Sequence, residues 1–374
     1  MAIGTATPAA AEQGERWSGL EREDLIRAFR LMYTSRRLDD REILLKRQNR
    51  IFFQISGAGH EAAQVAAAYS LRSGKDWFYT YYRDRALCLT LGVTPEEMLL
   101  EAVGAAADPA SGGRQMPSHW GHRKYNIVSS SSPTGTQFLQ AVGCAEASRY
   151  LDPSSDEVTL VTAGDGATSE GEFWEAMNAA CLDHLPLLVL IEDNNFAISV
   201  PVERQTAGGS IARLLAGFPG LLIREVDGTD FPSSCEVLRE AVAYVRSGAG
   251  PALVHAQVTR PYSHSLSDDE RLYKSGEERA AEAARDPLVR FSEWLLDEGI
   301  LDRAALEVMM EEIDRDIQEI TDRVLQAPPP PRGSALRHLF SDKVDPTSDA
   351  FHRLPDFQGE PRTMVDEINL TLAE

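Results

Sequence analysis

The middle of the chain alternates short apolar runs with amphipathic stretches. Apolar side chains recur at helical spacing over 169–184 and from about Pro232 to Arg246, which predicts helices. Between them lie near-continuous apolar runs, which are typical of strands buried on both faces of a sheet. These runs are DEVTLVTAG (156–164), LPLLVLIED (185–193), LLIREVDG (221–228) and PALVHAQVT (251–259). Strands alternating with helices predict the α/β class, with a doubly wound, mostly parallel sheet and helices on both faces.

Helical patterns flank this region and predict helical extensions at both ends. Residues 21–73 and 287–325 carry apolar side chains at helical spacing. Within the first range, SGAGHEAAQVAAAYSL (56–71) predicts a glycine-rich turn that leads into an alanine-rich helix. The sequence QAPPPPRG (326–333) then ends the pattern, because consecutive prolines favour an extended spacer. We therefore expect a domain organisation of four parts: a flexible tail over 1–20, one domain over 21–325, a proline-rich linker over 326–361 and the start of a further domain over 362–374.

Composition and charge narrow the classes of function. The chain has 374 residues, of which 43% are hydrophobic and 25% charged, as in a globular protein with a large core. Its formal net charge of −21 argues against nucleic acid or an anionic membrane as the main partner. The cysteines form no C-x-x-C motif, no apolar run reaches the roughly twenty residues of a membrane span, and the N-terminal residues do not resemble a signal peptide. We expect a cytoplasmic protein.

An acidic residue interrupts a turn that would otherwise suit a phosphate. The predicted strand 156–164 runs into Asp165 and Gly166, and Ser169 and Glu172 are spaced as a capping box, so a helix is expected to begin just after the turn. Glycine-rich turns between a strand and a helix commonly bind phosphate through the helix N-terminus. A carboxylate at this place would repel that anion unless a cation lies between them.

Asn194 offers a partner for Asp165 in holding such a cation. It follows the next predicted strand, twenty-nine positions after Asp165, which is about the length of one βαβ unit. Ligands of doubly wound sheets bind beyond the carboxyl ends of the strands, where the two side chains would converge. Their oxygens would form part of a Mg²⁺ site, completed by phosphate oxygens and water. The alternative interpretation is that both residues only form turns.

Several blocks between about residues 40 and 325 together resemble one family. In chain order they are AGHEAAQVA, YYRDRALCLTLG, GGRQMPSHWG, SSSPTGTQ, GDGATSEGEFWEAMNAA, EDNNFAIS and SHSLSDDERLYK. The chain resembles the α subunit of the thiamine-diphosphate-dependent, decarboxylating component of 2-oxoacid dehydrogenase complexes. The resemblance implies the thiamine-diphosphate-binding fold and the oxidative decarboxylation of a 2-oxoacid with thiamine diphosphate and Mg²⁺, followed by acyl transfer to a lipoyl group.

The resemblance also implies a set of metal ligands. They are Asp165, Asn194 and the backbone carbonyl of Phe196. The family usually reads N-N-x-[YF]-[AG]-I-S, whereas this chain reads D-N-N-F-A-I-S, so that Asp193 replaces the first asparagine of the family's pair. Alignment on the AIS tripeptide places the ligand at Asn194, and alignment on the NN pair would place it at Asn195.

Further positions carry over from the same resemblance. Arg83 suits a diphosphate because its planar guanidinium binds phosphate oxygens in pairs. His264, in a polar serine-rich loop, and Arg260 beside it are the candidate catalytic residues. The implied cofactor contacts are Tyr82, Arg83, Ser132, Thr134, Asp165, Gly166, Ala167, Asn194, Phe196 and His264.

Substrate, K⁺ and modification sites are implied at other positions. Phe53 and His119 match positions that face the substrate. Ser131, Thr136 and Gln137 match residues that hold a structural K⁺ in some relatives. Ser265 matches a serine that is phosphorylated in mitochondrial relatives.

The family implies protein partners as well. Its glutamate that activates the cofactor comes from a β subunit, so this chain would form half of each active site in an α2β2 assembly. That assembly would pass the acyl group to the lipoyl group of an acyltransferase core. The last segment, EPRTMVDEINLTLAE (360–374), resembles the first helix of a β subunit, so we expect the α portion of an α–β fusion.

The substrate and the class of protein each have alternatives. AGHEAAQVA, YYRD and HSLSDD are closer to branched-chain 2-oxoacid enzymes, and RIFFQ (50–54) would suit an aliphatic substrate. SVPVERQT resembles the pyruvate type, so pyruvate or acetoin dehydrogenase is an alternative.

Two other classes of protein are alternatives to this family. An NAD-linked oxidoreductase would need G-x-G-x-x-G, which GDGATSEG does not match. A non-catalytic assembly subunit would lack the metal and diphosphate residues that this chain retains.

Overall fold

A computed structural model describes residues 17, 19–337, 341, 343–351, 360 and 362–373. The chain divides into two compact units, Met1–Pro330 and Pro331–Glu374. The first unit contains the sheet and continues through the first prolines of the run that the sequence assigned to a linker from 326. Most of the expected tail over 1–20 lies outside the described residues.

Most of the described chain is helical. Its α-helices are α1 (Arg22–Arg47), α2 (Glu61–Ser70), α3 (Arg85–Leu91), α4 (Pro95–Ala102), α5 (Gln137–Leu151), α6 (Gly171–Leu182), α7 (Val202–Gln205), α8 (Ile211–Leu214), α9 (Phe231–Arg246), α10 (Gly276–Ala284), α11 (Pro287–Asp297), α12 (Arg303–Val324) and α13 (Met364–Ala373). Within the described ranges, none of these helices is both long and apolar enough to cross a membrane.

Five strands form one parallel sheet, which confirms the predicted fold class. The described part of the chain has seven strands in all: β1 (Trp77–Tyr79), β2 (Thr159–Gly164), β3 (Leu187–Asp193), β4 (Phe196–Ala197), β5 (Val200–Pro201), β6 (Leu222–Asp227) and β7 (Ala252–Gln257). The main sheet has the order β1-β2-β3-β7-β6, and β4 and β5 form a separate antiparallel pair. All neighbouring strands of the main sheet are parallel. The sequence predicted its four longer strands but not β1, because three residues are too few to show a pattern.

Two hydrophobic clusters cover the opposite faces of this sheet. Successive side chains of β3 alternate between them, because the side chains of a strand point to alternate faces. Leu188 and Leu190 pack in a cluster with side chains of α1, α2 and α9. Leu187, Val189 and Ile191 pack in the other cluster, with side chains of α5 and α6. The strands are therefore buried on both faces, which explains their near-continuous apolar sequences.

Three local predictions were wrong. The pattern over 21–73 is divided by a loop over 48–60, which includes the expected glycine-rich turn but begins eight residues before it. The pattern over 287–325 is divided near Gly299, which has a positive φ of 66°. The expected capping box is absent, because Asp165–Ser169 forms a 3-10 helix and α6 begins at Gly171 with Glu170 as its N-cap. Ser169 still belongs to the 3-10 turn, so it lacks the extended backbone that an N-cap residue needs.

Gly59 allows two backbone segments beside the site to touch. Its φ is +89°, and a Cβ atom added there would lie 2.1 Å from the carbonyl oxygen of Thr259. This contact joins the loop before α2 to the segment that follows β7. Both the positive φ and the close approach exclude a side chain.

We predict that Gly59→Ala lowers the free energy of unfolding by about 3 kcal/mol or more, because backbone strain adds to overpacking. The matched control is Gly143→Ala in α5, where an added Cβ meets no atom within 4 Å. That control should stabilise the helix by about 0.5–1 kcal/mol. Urea denaturation of the three proteins measures both effects, and equal stability of Gly59→Ala and the wild type would contradict the prediction.

Candidate active site

The predicted metal ligands converge at the carboxyl ends of two neighbouring strands. β2 and β3 are paired in parallel, with Gly164 opposite Glu192. Asp165 directly follows β2 and Asn194 directly follows β3, so the register places both at the same edge of the sheet. Their side chains are buried, with 3% and 4% of the residue exposed. The neighbouring relation that the sequence predicted for these two strands is confirmed.

A cavity of about 710 Å³ opens at this edge and collects most of the predicted site residues. Arg260 does not line it, and of the three K⁺ candidates Ser131 and Gln137 line it whereas Thr136 does not. The predicted residues along its wall are Phe53, Tyr82, Arg83, His119, Ser132, Thr134, Asp165, Gly166, Ala167, Asn194, Phe196 and His264.

Two buried oxygens in this cavity lack a hydrogen-bond donor. Asp165 Oδ2 and Asn194 Oδ1 are both enclosed and without a partner in the described structure. Burial and the nearby carboxylate of Asp193 raise the pKa of Asp165 to about 7. Unpaired buried acceptors are costly, and a cation between them would remove that cost. The residues therefore fit a hard divalent cation such as Mg²⁺.

The chain supplies only part of a coordination sphere. Among the described residues, no group of three or more histidine, cysteine, aspartate or glutamate side chains could hold a metal. One carboxylate, one amide oxygen and the nearby Phe196 leave positions open for other oxygen ligands. Mg²⁺ is commonly bound in this way, with a few protein ligands and substrate phosphates completing the octahedron.

Asn195 plays a different part from Asn194. It does not line the cavity, and its backbone φ of 67° is left-handed, a conformation that asparagine tolerates better than most residues. Its backbone N–H donates to Asp193 Oδ1 at 2.8 Å, and its carbonyl accepts from Val202. The geometry favours Asn194 as the candidate ligand and Asn195 as the residue that forms the turn.

Arg83 places a buried positive charge beside the cavity. It donates through Nη1 to the carbonyl of Ser56, and through Nη2 to Nδ1 of His264 at 3.0 Å and to the carbonyl of His264 at 3.2 Å. Its guanidinium lies over the Tyr82 ring. Arg83 forms no salt bridge with a carboxylate of the described residues, so its charge is available to an anion.

The hydrogen bond from Arg83 fixes the state of His264. Since the guanidinium can only donate, Nδ1 of His264 accepts and the ring carries its proton on Nε2. Burial, Arg83 and Arg260 together lower the pKa of His264 to about 3. His264 is therefore a neutral imidazole that presents an N–H donor at neutral pH.

His119 is held by three contacts on the other wall of the cavity. Its Nε2 is hydrogen-bonded to Oγ of Ser132, and its Nδ1 lies 3.3 Å from the carbonyl of Pro117. Its backbone N–H donates to Glu101 Oε1 at 2.9 Å. The sequence did not reveal Glu101, a buried carboxylate on α4 whose pKa is raised to about 8 by burial and Asp108.

Arg260 lies behind the cavity wall. Its Nη2 donates to the carbonyl of Ile198 at 3.0 Å and to the hydroxyl of Tyr273 at 2.7 Å. That hydroxyl donates to Asp268 Oδ2, which also accepts the backbone N–H of His264 at 2.9 Å. A chain of hydrogen bonds through Tyr273 and Asp268 thus links Arg260 to the loop of His264, while Arg260 itself does not line the cavity.

The sequence patterns also did not predict a buried polar network that contacts Asn194. Glu192 Oε2 accepts from Gln64 at 2.9 Å and from Tyr81 at 3.2 Å, and lies 2.6 Å from Nδ1 of His60. The other ring nitrogen of His60 lies 3.3 Å from Nδ2 of Asn194. Burial raises the pKa of Glu192 and lowers that of His60. Three of the sequence blocks contain these residues, but only the fold brings them together.

Comparisons with known proteins agree with this geometry. The family described as "Dehydrogenase E1 component" matches residues 29–332. The chain is 36% identical over 325 residues to 2-oxoisovalerate dehydrogenase subunit alpha of Bacillus subtilis, covering 86% of this chain and 97% of that protein. It is equally similar, at 36% over 325 residues, to 3-methyl-2-oxobutanoate dehydrogenase subunit alpha of Mycobacterium tuberculosis, covering 86% of this chain and 83% of that protein.

A pyruvate enzyme is also among the relatives. Pyruvate dehydrogenase E1 component subunit alpha of Mycoplasma pneumoniae is 33% identical over 299 residues, which cover 80% of each chain. The family match extends over most of the chain and includes every predicted site residue. The chain therefore belongs to the family of dehydrogenase E1 components, as an α subunit of a thiamine-diphosphate-dependent 2-oxoacid dehydrogenase.

Proposed function

We propose that this α subunit acts in the oxidative decarboxylation of branched-chain 2-oxoacids and in acyl transfer to a lipoyl group. The observation that carries the proposal is a single cavity in which the unpartnered oxygens of Asp165 and Asn194 lie with apolar side chains. Family membership argues against an NAD-linked oxidoreductase. The retained Asp165, Asn194, Arg83 and His264, which all line the cavity, argue against a non-catalytic assembly subunit.

Asp165, Asn194 and the carbonyl of Phe196 would hold Mg²⁺ in the proposed site, and Arg83 would bind the diphosphate. Tyr82, beside Arg83, would contact the same group. When bound, thiamine diphosphate supplies the nucleophilic carbon and the electron sink that decarboxylation of a 2-oxoacid needs. A larger set of residues would contact the rest of the cofactor: Ser132, Thr134, Gly166, Ala167 and His264.

His264 would orient negatively charged or carbonyl oxygens through its Nε2–H. Because its ring is neutral, it donates a hydrogen bond without presenting a full positive charge. Its position next to Arg83 brings a donor and a cation to the same part of the cavity. Arg260 would position the loop that carries His264 indirectly, through its hydrogen bond to Tyr273 and the hydrogen bonds of Asp268.

Apolar side chains support a branched aliphatic substrate. Phe53, Ile55, Met116 and Ile198 line the cavity near the candidate cofactor residues, and His119 lies beside them. An aliphatic chain gains free energy when it leaves water for such a surface, by about 0.8 kcal/mol for each buried methylene. The two branched-chain relatives, from Bacillus subtilis and Mycobacterium tuberculosis, support the same preference.

The cavity lacks a free carboxylate for proton transfer, which supports a β subunit as partner. Its lining from the described residues contains two carboxylates, Asp165 and Asp268. Asp165 is assigned to the cation, and Asp268 accepts from Tyr273 and from the backbone of His264. The glutamate that the family requires would then come from a β subunit in an α2β2 assembly, which passes the acyl group to an acyltransferase core.

Substrate assays test the proposed preference. We predict that the chain, assembled with its β subunit, converts 3-methyl-2-oxobutanoate with a kcat/KM at least about tenfold above that for pyruvate, since added methyl groups fill the apolar wall. Decarboxylation of both acids and of 2-oxoglutarate would be measured. The pyruvate-type alternative rests on the Mycoplasma relative, and a higher kcat/KM for pyruvate would establish it instead.

Metal dependence tests the assignment of Asp165. We predict that Asp165→Ala weakens binding of thiamine diphosphate in the presence of Mg²⁺ by at least about tenfold, or about 1.4 kcal/mol, because one charged ligand of the cation is lost. Calorimetry with and without Mg²⁺ measures the difference.

The neighbouring asparagines provide a matched pair in the same experiment. Asn194→Ala should weaken Mg²⁺-dependent binding, whereas Asn195→Gly, which preserves the left-handed backbone, should leave it nearly unchanged. The reverse order would move the ligand to Asn195. Retention of full Mg²⁺ dependence by Asp165→Ala would show that the metal assignment is incorrect.

Titration tests the state of His264. We predict that its imidazole in the cofactor-free chain stays neutral between about pH 5 and 8, since Arg83 and burial oppose protonation. Arg83→Gln should raise the pKa of His264, because it removes a neighbouring positive charge, whereas Arg123→Gln on the surface should not. NMR of labelled histidines, with His264→Gln to assign the signal, measures the pKa. A midpoint near 6.5 in the wild type would contradict the prediction.

A further inference from the structure

A buried carboxylate–imidazole pair lies beside the turn that carries Asn194. Asp193 is the last residue of β3, and His255 lies on β7, the neighbouring strand. Each residue is 1% exposed. Nε2 of His255 donates to Oδ2 of Asp193 at 2.8 Å, and the other ring nitrogen lies 3.7 Å from the carboxylate of Glu225 at the surface.

Asp193 uses its two oxygens in two directions. Oδ2 faces β7, where it accepts from His255 and, at 3.2 Å, from Nε2 of Gln257. Oδ1 faces the turn, where it accepts the backbone N–H of Asn195 at 2.8 Å. The residue between these two anchored neighbours is Asn194. Asp193 therefore constrains the backbone that carries the Asn194 side chain, whose Nδ2 lies 3.3 Å from His60 Nε2.

This double contact requires a carboxylate at position 193. An asparagine side chain has one acceptor oxygen, and its nitrogen can only donate. It could not accept from His255 and from the backbone of Asn195 through two different atoms. Asp193 and His255 thus form a matched pair, since the donor on β7 requires the second acceptor oxygen.

Asp193 also contributes charge to the candidate cation site. The residue is 1% exposed and directly precedes Asn194 in the chain. Asp165 is 3% exposed, so both carboxylates lie in a region shielded from water, where charge interactions are strong. A divalent cation at Asp165 and Asn194 would be attracted by both.

We propose that Asp193 and His255 are positioning residues for the cation site: through the Asp193 carboxylate, His255 holds the turn over 193–195 so that Asn194 Oδ1 faces the cavity. The inference rests on the proposed function of Asp165 and Asn194 as cation ligands. Residues behind metal ligands commonly act in this way, and their loss weakens metal binding by about 10- to 100-fold.

Binding of Mn²⁺ to the full chain assembled with its β subunit, in the presence of thiamine diphosphate, tests the proposal. Free Mn²⁺ is measured by electron paramagnetic resonance, and the unfolding temperature of each variant is recorded. We expect His255→Leu, which removes the donor, to weaken Mn²⁺ binding by about tenfold or more. His255→Gln retains an N–H donor and should stay within about threefold of the wild type. His122→Leu, at a histidine outside the cavity that contacts Glu97, is the matched control and should bind normally.

Asp193→Asn gives an independent variant that preserves the shape of the side chain. It removes one acceptor oxygen and should also weaken Mn²⁺ binding by about tenfold, even if His255→Leu does not fold. Normal Mn²⁺ binding by a folded His255→Leu or by Asp193→Asn would overturn the inference and leave the proposed function intact. An equal loss in His255→Leu and His255→Gln would assign the effect to packing and overturn it as well. Absence of Mn²⁺ binding by the wild type would instead remove the proposed function and the inference together.

Discussion

The parallel pairing of β2 and β3 is the constraint on which the candidate site depends. Because the two strands run in the same direction and end within one residue of the same level, the residues after them lie at one edge of the sheet. Hydrophobic clusters on both faces hold the strands in place, so the position of Asp165 relative to Asn194 is set by the core rather than by the loops. The polar site thus derives its geometry from apolar packing.

Electrostatics divides the cavity into two regions. In one region, the unpaired oxygens of Asp165 and Asn194 and the nearby carboxylate of Asp193 favour the binding of a cation. In the other, Arg83 and the neutral His264 present donors to an anion. The proposed metal–diphosphate pair would compensate both regions at once, whereas either ion alone would leave one of them uncompensated.

The sequence predicted those parts of the site that depend on strand order. Asp165 and Asn194 each follow an apolar run directly, so the rule for parallel sheets was enough to bring them together. The capping box at Ser169 failed because a 3-10 turn precedes α6 and shifts the helix start. Glu101, His60 and the pairing of Asp193 with His255 could not be predicted. Their partners lie far away in the chain, and no periodic pattern marks a contact between side chains.

A position close to a motif in the sequence did not by itself predict which groups a side chain contacts in the fold. Arg260 stands close to His264 in the sequence, yet its guanidinium points behind Phe196 to Ile198 and Tyr273. A long side chain can reach several surroundings from one backbone position, and the fold decides which of them is used. Short side chains such as Asp165, which follow a strand directly, have no such freedom.

The hydrogen bond between Arg83 and His264 has a thermodynamic consequence. In the chain without a ligand, the guanidinium Nη2 already has an acceptor on the loop of His264. When an anion binds Nη2, this nitrogen loses its hydrogen bonds to His264 and gains one to the anion. The measured affinity is therefore the difference between these two hydrogen-bonded states, not the strength of the new bond alone. Because the loop and an anion compete for this nitrogen, a stronger contact between the loop and Arg83 lowers the affinity for the anion, and a bound anion weakens that contact.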